Sequence, residues 1–364
     1  MKRLAARLAV LLALALAAAT PALCAEEDAS ATAGERPELR PSPKPMPRYA
    51  LVLPLKVAAF KEPAEALRAG FLAAASAGAE PGGVTVVSHG ENDAPAAFEL
   101  AAAAGALVVV GPLTRGDVSS VLAARKAFPA TLLLNAPERV QPLPEKVQIL
   151  ALSLEADARQ LARLAWKDGR ERVAVVAGDA AFHRRFVAAF SEAAEQLGMT
   201  IAHSAAFSGD TTLLPLLRQG IETANADALL LALDATEARL ARGYLSALPA
   251  YAGGQVFDGR AATELVELAN VRFVEMPWLV QPDHPAVMAY PRPDLEDATS
   301  QRLYALGIDA YRVASLLARG LDPGAIELDG VTGRISGRQG AVLVREANAM
   351  MVRQGEIVAI DAAK

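Results

Sequence analysis

Short apolar runs alternate with longer segments of helical period along most of this 364-residue sequence. The apolar runs are continuous, as in strands buried on both faces of a parallel sheet, and each is followed by enough residues for a crossover helix. The pattern therefore predicts a doubly wound α/β layer. The first series predicts strands Tyr49–Leu55, Val84–Ser88, Ala106–Val110 and Thr131–Asn135, separated by helices Glu62–Ala77, Ala94–Ala104 and Asp117–Ala127.

A second series of the same kind follows and predicts a second α/β layer. A Pro-rich crossing, a long helix over Thr299–Arg319 and a hairpin-rich end from Gly330 complete the chain. Several passages between the two layers would make a hinge with a cleft beside it. The predicted helices are Glu155–Asp168, Ala181–Leu197, Thr212–Thr223 and Ala235–Ala247, and the predicted strands are Arg172–Ala177, Thr200–Ala206, Ala228–Leu233, Gln255–Phe257 and Arg272–Val274.

The predicted fold class is therefore α/β, with two doubly wound α/β lobes joined by a multi-crossing hinge. The first lobe is expected to comprise residues 49–152 and about 282–324. The second is expected to comprise residues 153–281 and about 325–364.

The beginning of the sequence is typical of an export signal followed by a tether. Basic residues precede an apolar run, Leu8–Ala19, that is shorter than the roughly 20 residues of a spanning helix. We expect residues 1–25 to be a signal peptide and the mature protein, without a transmembrane segment, to reside in the periplasm. Residues 26–48 carry closely spaced prolines and predict an extended, disordered tether.

Cys24 is the only cysteine, which excludes a disulfide framework. Cleavage after Ala25 would remove it. The alternative is a lipidated Cys24 that anchors the protein to the outer membrane, but Leu23 stands where a lipoprotein signal has a small residue. The sequence favours cleavage and leaves lipidation open.

Charge and composition narrow the function classes. The formal net charge is −5 and no basic cluster lies outside the signal region, so a nucleic-acid partner is not expected. The four histidines are far apart in sequence and show no metal-ligand spacing. The sequence also lacks a Gly-x-Ser-x-Gly elbow and a carboxylate pair spaced for acid–base work, so we predict no catalytic residues, no metal site and no cofactor.

Five stretches carry a resemblance to a known family. The stretches are Val110–Leu113, Leu134–Asn135, Pro277–Val280, Arg302–Arg312 and Gly330–Ser336. The order of elements resembles the type I periplasmic-binding fold, and these stretches resemble the C-terminal domain of penicillin-binding protein activators of the LppC/LpoA lipoprotein type.

The resemblance implies a cell-envelope protein of Gram-negative type that binds a class A penicillin-binding protein and regulates peptidoglycan synthesis without chemistry of its own. The alternative is a solute-binding protein of a leucine-type amino-acid ABC transporter, whose cleft would hold a small amino-acid-like ligand.

The resemblance to leucine-binding proteins implies first-lobe contacts to a ligand carboxylate. The loop Gly111–Gly116 ends a strand and opens a helix, where backbone N–H groups favour anions. Thr114 and Arg115 are candidate contacts there, and Asn135 ends the next strand. The alternative is that Thr114 and Asp117 only cap the helix.

Second-lobe candidates follow strands in the same way. Asp179, Phe182 and Arg185 lie in the segment that opens a helix, where binding relatives often place an aromatic wall. Asp234 follows another strand, and Trp278 lies near the second crossing. The alternatives are that Asp179 caps a helix, that the arginine is solvated, and that the aromatic rings pack in the interior.

Overall fold

The computed structural model describes residues 48–78, 83–125, 127–245, 248–259, 265–338 and 340–360. The predicted signal peptide, Cys24 and nearly all of the predicted tether lie outside these residues. None of the helices in the described ranges combines the length and apolarity needed to cross a membrane.

The first part of the chain forms strands that alternate with helices. Its strands are β1 (Tyr49–Leu53), β2 (Val84–Ser88), β3 (Val108–Val110), β4 (Thr131–Leu133) and β5 (Val147–Ile149), and its helices are α1 (Lys61–Ala77), α2 (Ala94–Ala103) and α3 (Arg115–Ala124). The strands form one parallel sheet in the order β2-β1-β3-β4-β5.

The second part repeats this alternation. Its helices are α4 (Leu154–Lys167), α5 (Ala181–Gln196), α6 (Leu214–Thr223) and α7 (Ala235–Tyr244), and its strands are β6 (Arg172–Ala177), β7 (Thr200–Ala206), β8 (Ala228–Ala232), β9 (Ala250–Ala252) and β10 (Val271–Glu275). These five strands pair in parallel in the order β10-β9-β8-β6-β7.

The last part of the chain contributes to both lobes. It contains α8 (Pro277–Val280), α9 (Pro285–Met288), α10 (Ala298–Ala318), β11 (Glu327–Asp329), β12 (Arg334–Ser336), β13 (Val344–Glu346), β14 (Asn348–Arg353) and β15 (Glu356–Ala359). Strands β11-β12-β13 form a small antiparallel sheet, and β14 and β15 extend the second large sheet beyond β10 in antiparallel pairing.

Both large sheets are covered on their two faces, which confirms the predicted doubly wound architecture. In the first lobe, Tyr49, Leu51 and Leu53 of β1 pack with α1 and α10, whereas Ala50 and Val52 face α2 and α3. The second sheet likewise divides its side chains between a cluster with α4 and α5 and a cluster with α6 and α7. The side chains divide in this way because successive residues of a strand point to opposite faces of the sheet.

The limits of the lobes remain a prediction. The predicted limits assign Trp278 and Ile335 to the second lobe, whereas both side chains pack in the core around α1 and α10. The predicted strand over Gln255–Phe257 is wrong, because a 3-10 turn occupies Gly254–Val256 and the strand is the preceding Ala250–Ala252. The small alanines beside Gly253 gave a weak apolar signal.

Two glycines allow α1 and α10 to cross at very close range. A Cβ atom on Gly70 would lie 1.9 Å from the carbonyl oxygen of Tyr304, and one on Gly307 would lie 2.1 Å from that of Leu67. Backbone carbonyls cannot withdraw as a flexible side chain can, so an added methyl group would have to separate the helices.

The lobes are held together by buried ionic contacts at the crossings. Arg302 of α10 pairs with Glu275 at the end of β10, with Nε 3.1 Å from Oε2. It also donates to the carbonyl oxygens of Gly254, at 2.8 Å, and Phe257, at 3.0 Å. Glu275 is only 4% exposed. One guanidinium therefore joins the helix of the first lobe to two segments of the second.

A second ion pair fastens α4 to the small sheet. Arg345 of β13 pairs with Asp157 in the first turn of α4 and donates to the Thr332 carbonyl at 2.9 Å. Burial raises the pKa of Asp157 to about 6 and outweighs the attraction of Arg345. A cavity of about 90 Å³ lies between these two ionic contacts, and the residues of both ion pairs help to line it.

We predict that Gly307→Ala and Gly70→Ala each lower the free energy of unfolding by about 1–3 kcal/mol, because overpacking forces backbone shifts. Gly243→Ala is the matched control, since Gly243 lies on α7 and nothing stands within 4 Å of its Cβ position. It should leave stability unchanged or raise it by about 0.5–1 kcal/mol. Urea unfolding measures all three, and equal effects at the three positions would contradict the close crossing.

Asp157 gives a pH-dependent prediction. Because the folded state raises its pKa to about 6 from 3.8, the proton is bound more tightly in the folded than in the unfolded state. Its contribution to stability therefore increases as pH falls from about 7.5 to 4.5, by about 2 kcal/mol. We expect wild type to gain this much relative to Asp157→Asn over that range in urea unfolding. A difference that stays constant with pH would contradict the raised pKa.

Candidate functional site

The carboxyl ends of the two parallel sheets meet at Glu155, in the first turn of α4. Arg115, which follows β3, has Nη1 3.9 Å from Oε1 of Glu155. Arg185, which lies on α5 after β6, has Nε 3.6 Å from the same oxygen. Because ligands of open α/β sheets bind at the carboxyl ends of the strands, this meeting point is the candidate site. We call it the interlobe cleft.

The loop after β3 is held close to β1. Gly111 has a φ of +104°, and a Cβ atom there would lie 2.2 Å from the carbonyl oxygen of Val52. Glycine at this position therefore lets the loop approach the neighbouring strand. The loop then enters α3, whose N-cap is Thr114.

Thr114 has its hydrogen bonds within the protein. Its hydroxyl donates to Oδ2 of Asp117 at 2.6 Å and accepts from the Asp117 backbone N–H at 3.1 Å. This is the capping arrangement of a helix N-terminus. The hydroxyl proton that could have bound a ligand carboxylate is directed at Asp117, so the geometry favours the structural alternative over the ligand contact.

Arg115 and Asn135 join this loop to the loop after β4. Arg115 Nη2 donates to the carbonyl oxygens of Pro137, at 3.1 Å, and Glu138, at 3.3 Å. The Asn135 side-chain amide donates to the Leu113 carbonyl at 3.1 Å, and its oxygen accepts from the backbone N–H of residue 136. These two candidates therefore lie together, as expected, and hold the cleft's first wall in shape.

A histidine that sequence reasoning did not select lies behind this wall. His89 is 2% exposed, and its Nδ1 is 3.0 Å from the Gly90 carbonyl. Its Nε2 is 3.8 Å from Oδ2 of Asp117. The sequence signal was its position directly after β2, at the carboxyl edge of the sheet.

The second wall is more open. Asp179 is exposed, and Phe182 is 40% exposed with its ring centroid 4.0 Å from that of His183. The helix α5 begins without a side-chain cap, so the alternative role of Asp179, as the cap of this helix, is wrong. The chain instead turns one residue later, and Ala180 occupies the N-cap position. His183 is buried, which lowers its pKa.

Asp234 and Trp278 lie outside the group that meets at Glu155. Asp234 caps α7, accepting from the Glu237 backbone N–H at 2.8 Å while Glu237 reaches back to the Asp234 N–H at 3.4 Å. The Trp278 ring is fully buried in the first-lobe core, with the Arg292 guanidinium 4.2 Å from its centroid. Ligand-binding roles for these residues stay predictions.

Two acidic residues of the cleft were not selected as candidates from the sequence. Glu155 and Asp157 lie in the first turn of α4 and pair with Arg115, Arg185 and Arg345. In the described ranges, no three His, Cys, Asp or Glu side chains come together as a metal-ligand group. Charged side chains of the protein itself therefore meet in the cleft, where two arginines share one oxygen of Glu155.

The chain is similar in sequence to curated penicillin-binding protein activators. It is 25% identical over 299 residues to penicillin-binding protein activator LpoA of Enterobacter sp. (strain 638), a match that covers 70% of this chain and 41% of the relative. The chain therefore spans less than half the length of that relative.

Two solved structures share the fold. One, described as a putative branched-chain amino acid ABC transporter from Chromobacterium violaceum, is 35% identical with a TM-score of 0.72, over 84% of this chain and 99% of that one. The other is the LpoA C-domain from Haemophilus influenzae, described as a regulator of PBP1A. It is 22% identical with a TM-score of 0.72, over 86% of this chain and 99% of that one.

A family model covers most of the chain and decides the family. The model described as "LppC putative lipoprotein" matches residues 42–214 and 213–355. This match confirms the resemblance carried by the Arg302–Arg312 and Gly330–Ser336 stretches. The chain belongs to the LppC family.

Proposed function

We propose that this protein binds a class A penicillin-binding protein in the cell envelope and stimulates its peptidoglycan synthesis, without chemistry of its own. Two findings support the proposal: membership of the LppC family, and the sequence similarity to penicillin-binding protein activator LpoA. The curated relatives are longer than this chain, so the proposal assigns these activities only to the two-lobed part that the chain shares with them.

The observation that carries the proposal is that the interlobe cleft is bridged by the protein's own side chains. Arg115 and Arg185 approach the same oxygen of Glu155 from the two lobes, and Thr114 bonds to Asp117. A small ligand would have to displace these contacts before it could use the same groups. The geometry therefore favours two lobes joined across the cleft over a cleft whose charged groups are free to bind a ligand.

The hinge supports the same conclusion. A solute-binding protein traps its ligand by hinge closure, which requires the crossings to bend. Here Arg302 joins α10 to Glu275 and to the carbonyls of Gly254 and Phe257. Removing one partner of a buried ion pair costs about 3–5 kcal/mol, because the other charge is left buried and unpaired. Lobe movement would have to preserve this contact.

The proposed cellular location is the envelope, with export through residues 1–25. Family membership supports an envelope protein, and the family description adds lipoprotein character. Cleavage after Ala25 and lipidation of Cys24 both remain proposals. They differ in whether the protein diffuses in the periplasm or acts from the outer membrane.

A second candidate function is solute binding for an amino-acid transporter. The 35% identity to the Chromobacterium violaceum protein favours it, because that match covers 99% of a chain described as a putative branched-chain amino acid ABC transporter. In this reading, the exposed Phe182 and Arg185 would form the second wall of a ligand site. The contacts of Arg115 and Arg185 with Glu155 argue against this function, because they occupy the charged groups of the cleft.

We predict that the immobilised protein captures a class A penicillin-binding protein from envelope extract of its source organism. Adding the purified protein to that synthase should raise the rate of peptidoglycan synthesis from labelled lipid-linked precursor. Heat-unfolded protein is the control. Absence of both capture and stimulation would contradict the proposal, and stimulation by unfolded protein would show a non-specific effect.

A further inference from the structure

A groove beside α4 lies apart from the interlobe cleft. Its volume is about 700 Å³, and it runs between α4 and the strands β14 and β15. We call it the α4 groove and define it by Arg163, Leu164, Lys167, Val274, Ala349 and Ile360, which are among its lining residues.

The helix presents a row of positive charges to this side of the protein. Arg159, Arg163 and Lys167 follow one another at intervals of four residues and so share one face of α4. All three are exposed, and none makes an ion pair or a side-chain hydrogen bond with another described residue. Arginines elsewhere, such as Arg302 and Arg345, are paired. These charges are therefore available to an external partner, in a protein whose net charge is −5.

The opposite wall of the groove is partly apolar. Met350 and Val352 of β14 are buried against α6 and α7, so Ala349 and Met351 face the α4 side, where they are half-buried. The half-buried Leu164 of α4 adds apolar surface to the groove. A ligand that fits this lining has acidic groups on one side and apolar groups on the other.

The two ends of the groove are fixed by internal contacts. Gln160 donates to the Ala347 carbonyl at 2.6 Å and accepts from the Ala347 N–H at 3.1 Å, which holds α4 to the start of β14. At the other end, Asp168 accepts from the Tyr251 hydroxyl at 2.6 Å and pairs with Arg272 at 3.1 Å. The carboxylate of Asp168 is thereby neutralised. Glu346, an exposed acid, lies at one edge.

We propose that the α4 groove binds an acidic, amphipathic peptide segment of a partner protein. The inference deepens the proposed function and rests on it, since it names the surface that receives the partner. The positive charges on α4 favour a peptide with acidic side chains. The partly apolar lining favours a peptide that also carries apolar side chains on its other face. The concave shape favours a peptide over an anionic membrane, because lipid headgroups present a flat array of charge to a protein surface.

The test uses a fluorescein-labelled peptide of alternating glutamate and leucine and the full-length protein. We expect saturable binding by fluorescence anisotropy that weakens as salt rises, because the Debye length shrinks from about 8 Å at 0.15 M to about 3 Å at 1 M. A peptide of alternating lysine and leucine should not bind. The double variant Arg163→Glu, Lys167→Glu should lose affinity by about fivefold or more, because it removes two attractions, each worth a factor of up to about five, and replaces them with repulsions.

The matched control is Lys61→Glu, Arg139→Glu, which makes the same charge change at exposed first-lobe positions. It should retain wild-type affinity, and circular dichroism should show both variants folded. Equal losses in the two variants, no binding of the acidic peptide, or binding to anionic vesicles with none to the peptide would each overturn the proposal.

Capture of a class A synthase by the same variants separates this inference from the proposed function. If wild type captures no synthase, the proposed function fails, while the peptide titration still decides the groove. If wild type and the Arg163→Glu, Lys167→Glu variant capture the synthase equally, the groove is not its docking surface and the proposed function stands.

Discussion

The bridge from Arg302 to Glu275 is the contact on which the two-lobed arrangement depends most. The arginine belongs to the long helix of the first lobe, and the carboxylate ends a strand of the second. Glu275 is buried and the Arg302 side chain is 20% exposed, so the carboxylate needs the arginine, and the guanidinium is also shared with backbone carbonyls. Loss of either partner would leave an unpaired charge between the lobes.

The family-like stretch over Arg302–Arg312 has a structural explanation in this contact. Arg302 bridges the lobes at one end of the stretch. Asp309 at its centre is fully buried and accepts hydrogen bonds from the Val331 N–H at 3.1 Å and from the Thr332 N–H and hydroxyl at 2.8 and 2.7 Å. Arg312 adds an ion pair at 3.1 Å. The helix and the Gly330–Ser336 turn are therefore joined through one carboxylate.

Sequence reasoning predicted the architecture well because a parallel sheet leaves a strong local signal. Continuous apolar runs such as Ala228–Ala232 are buried along their whole length and stand out against the helices. The short strand Ala250–Ala252 was missed because alanine and adjoining glycines carry little signal. Thr114, Arg115 and Asn135 were expected at one wall of the cleft, and they lie there. Their partners could not be predicted, because Glu155 comes near Arg115 only through tertiary packing.

We expect the two lobes to keep a fixed separation, as a protein-contact module would and a solute trap would not, and the distance between the lobes tests this central expectation. Spin labels at Ser120→Cys on α3 and Thr223→Cys on α6, both exposed, report this distance by pulsed electron paramagnetic resonance in a Cys24→Ala background. The account predicts one narrow distance distribution that amino acids leave unchanged. Two populations, or a shift toward a shorter distance with one amino acid, would contradict it and indicate solute binding.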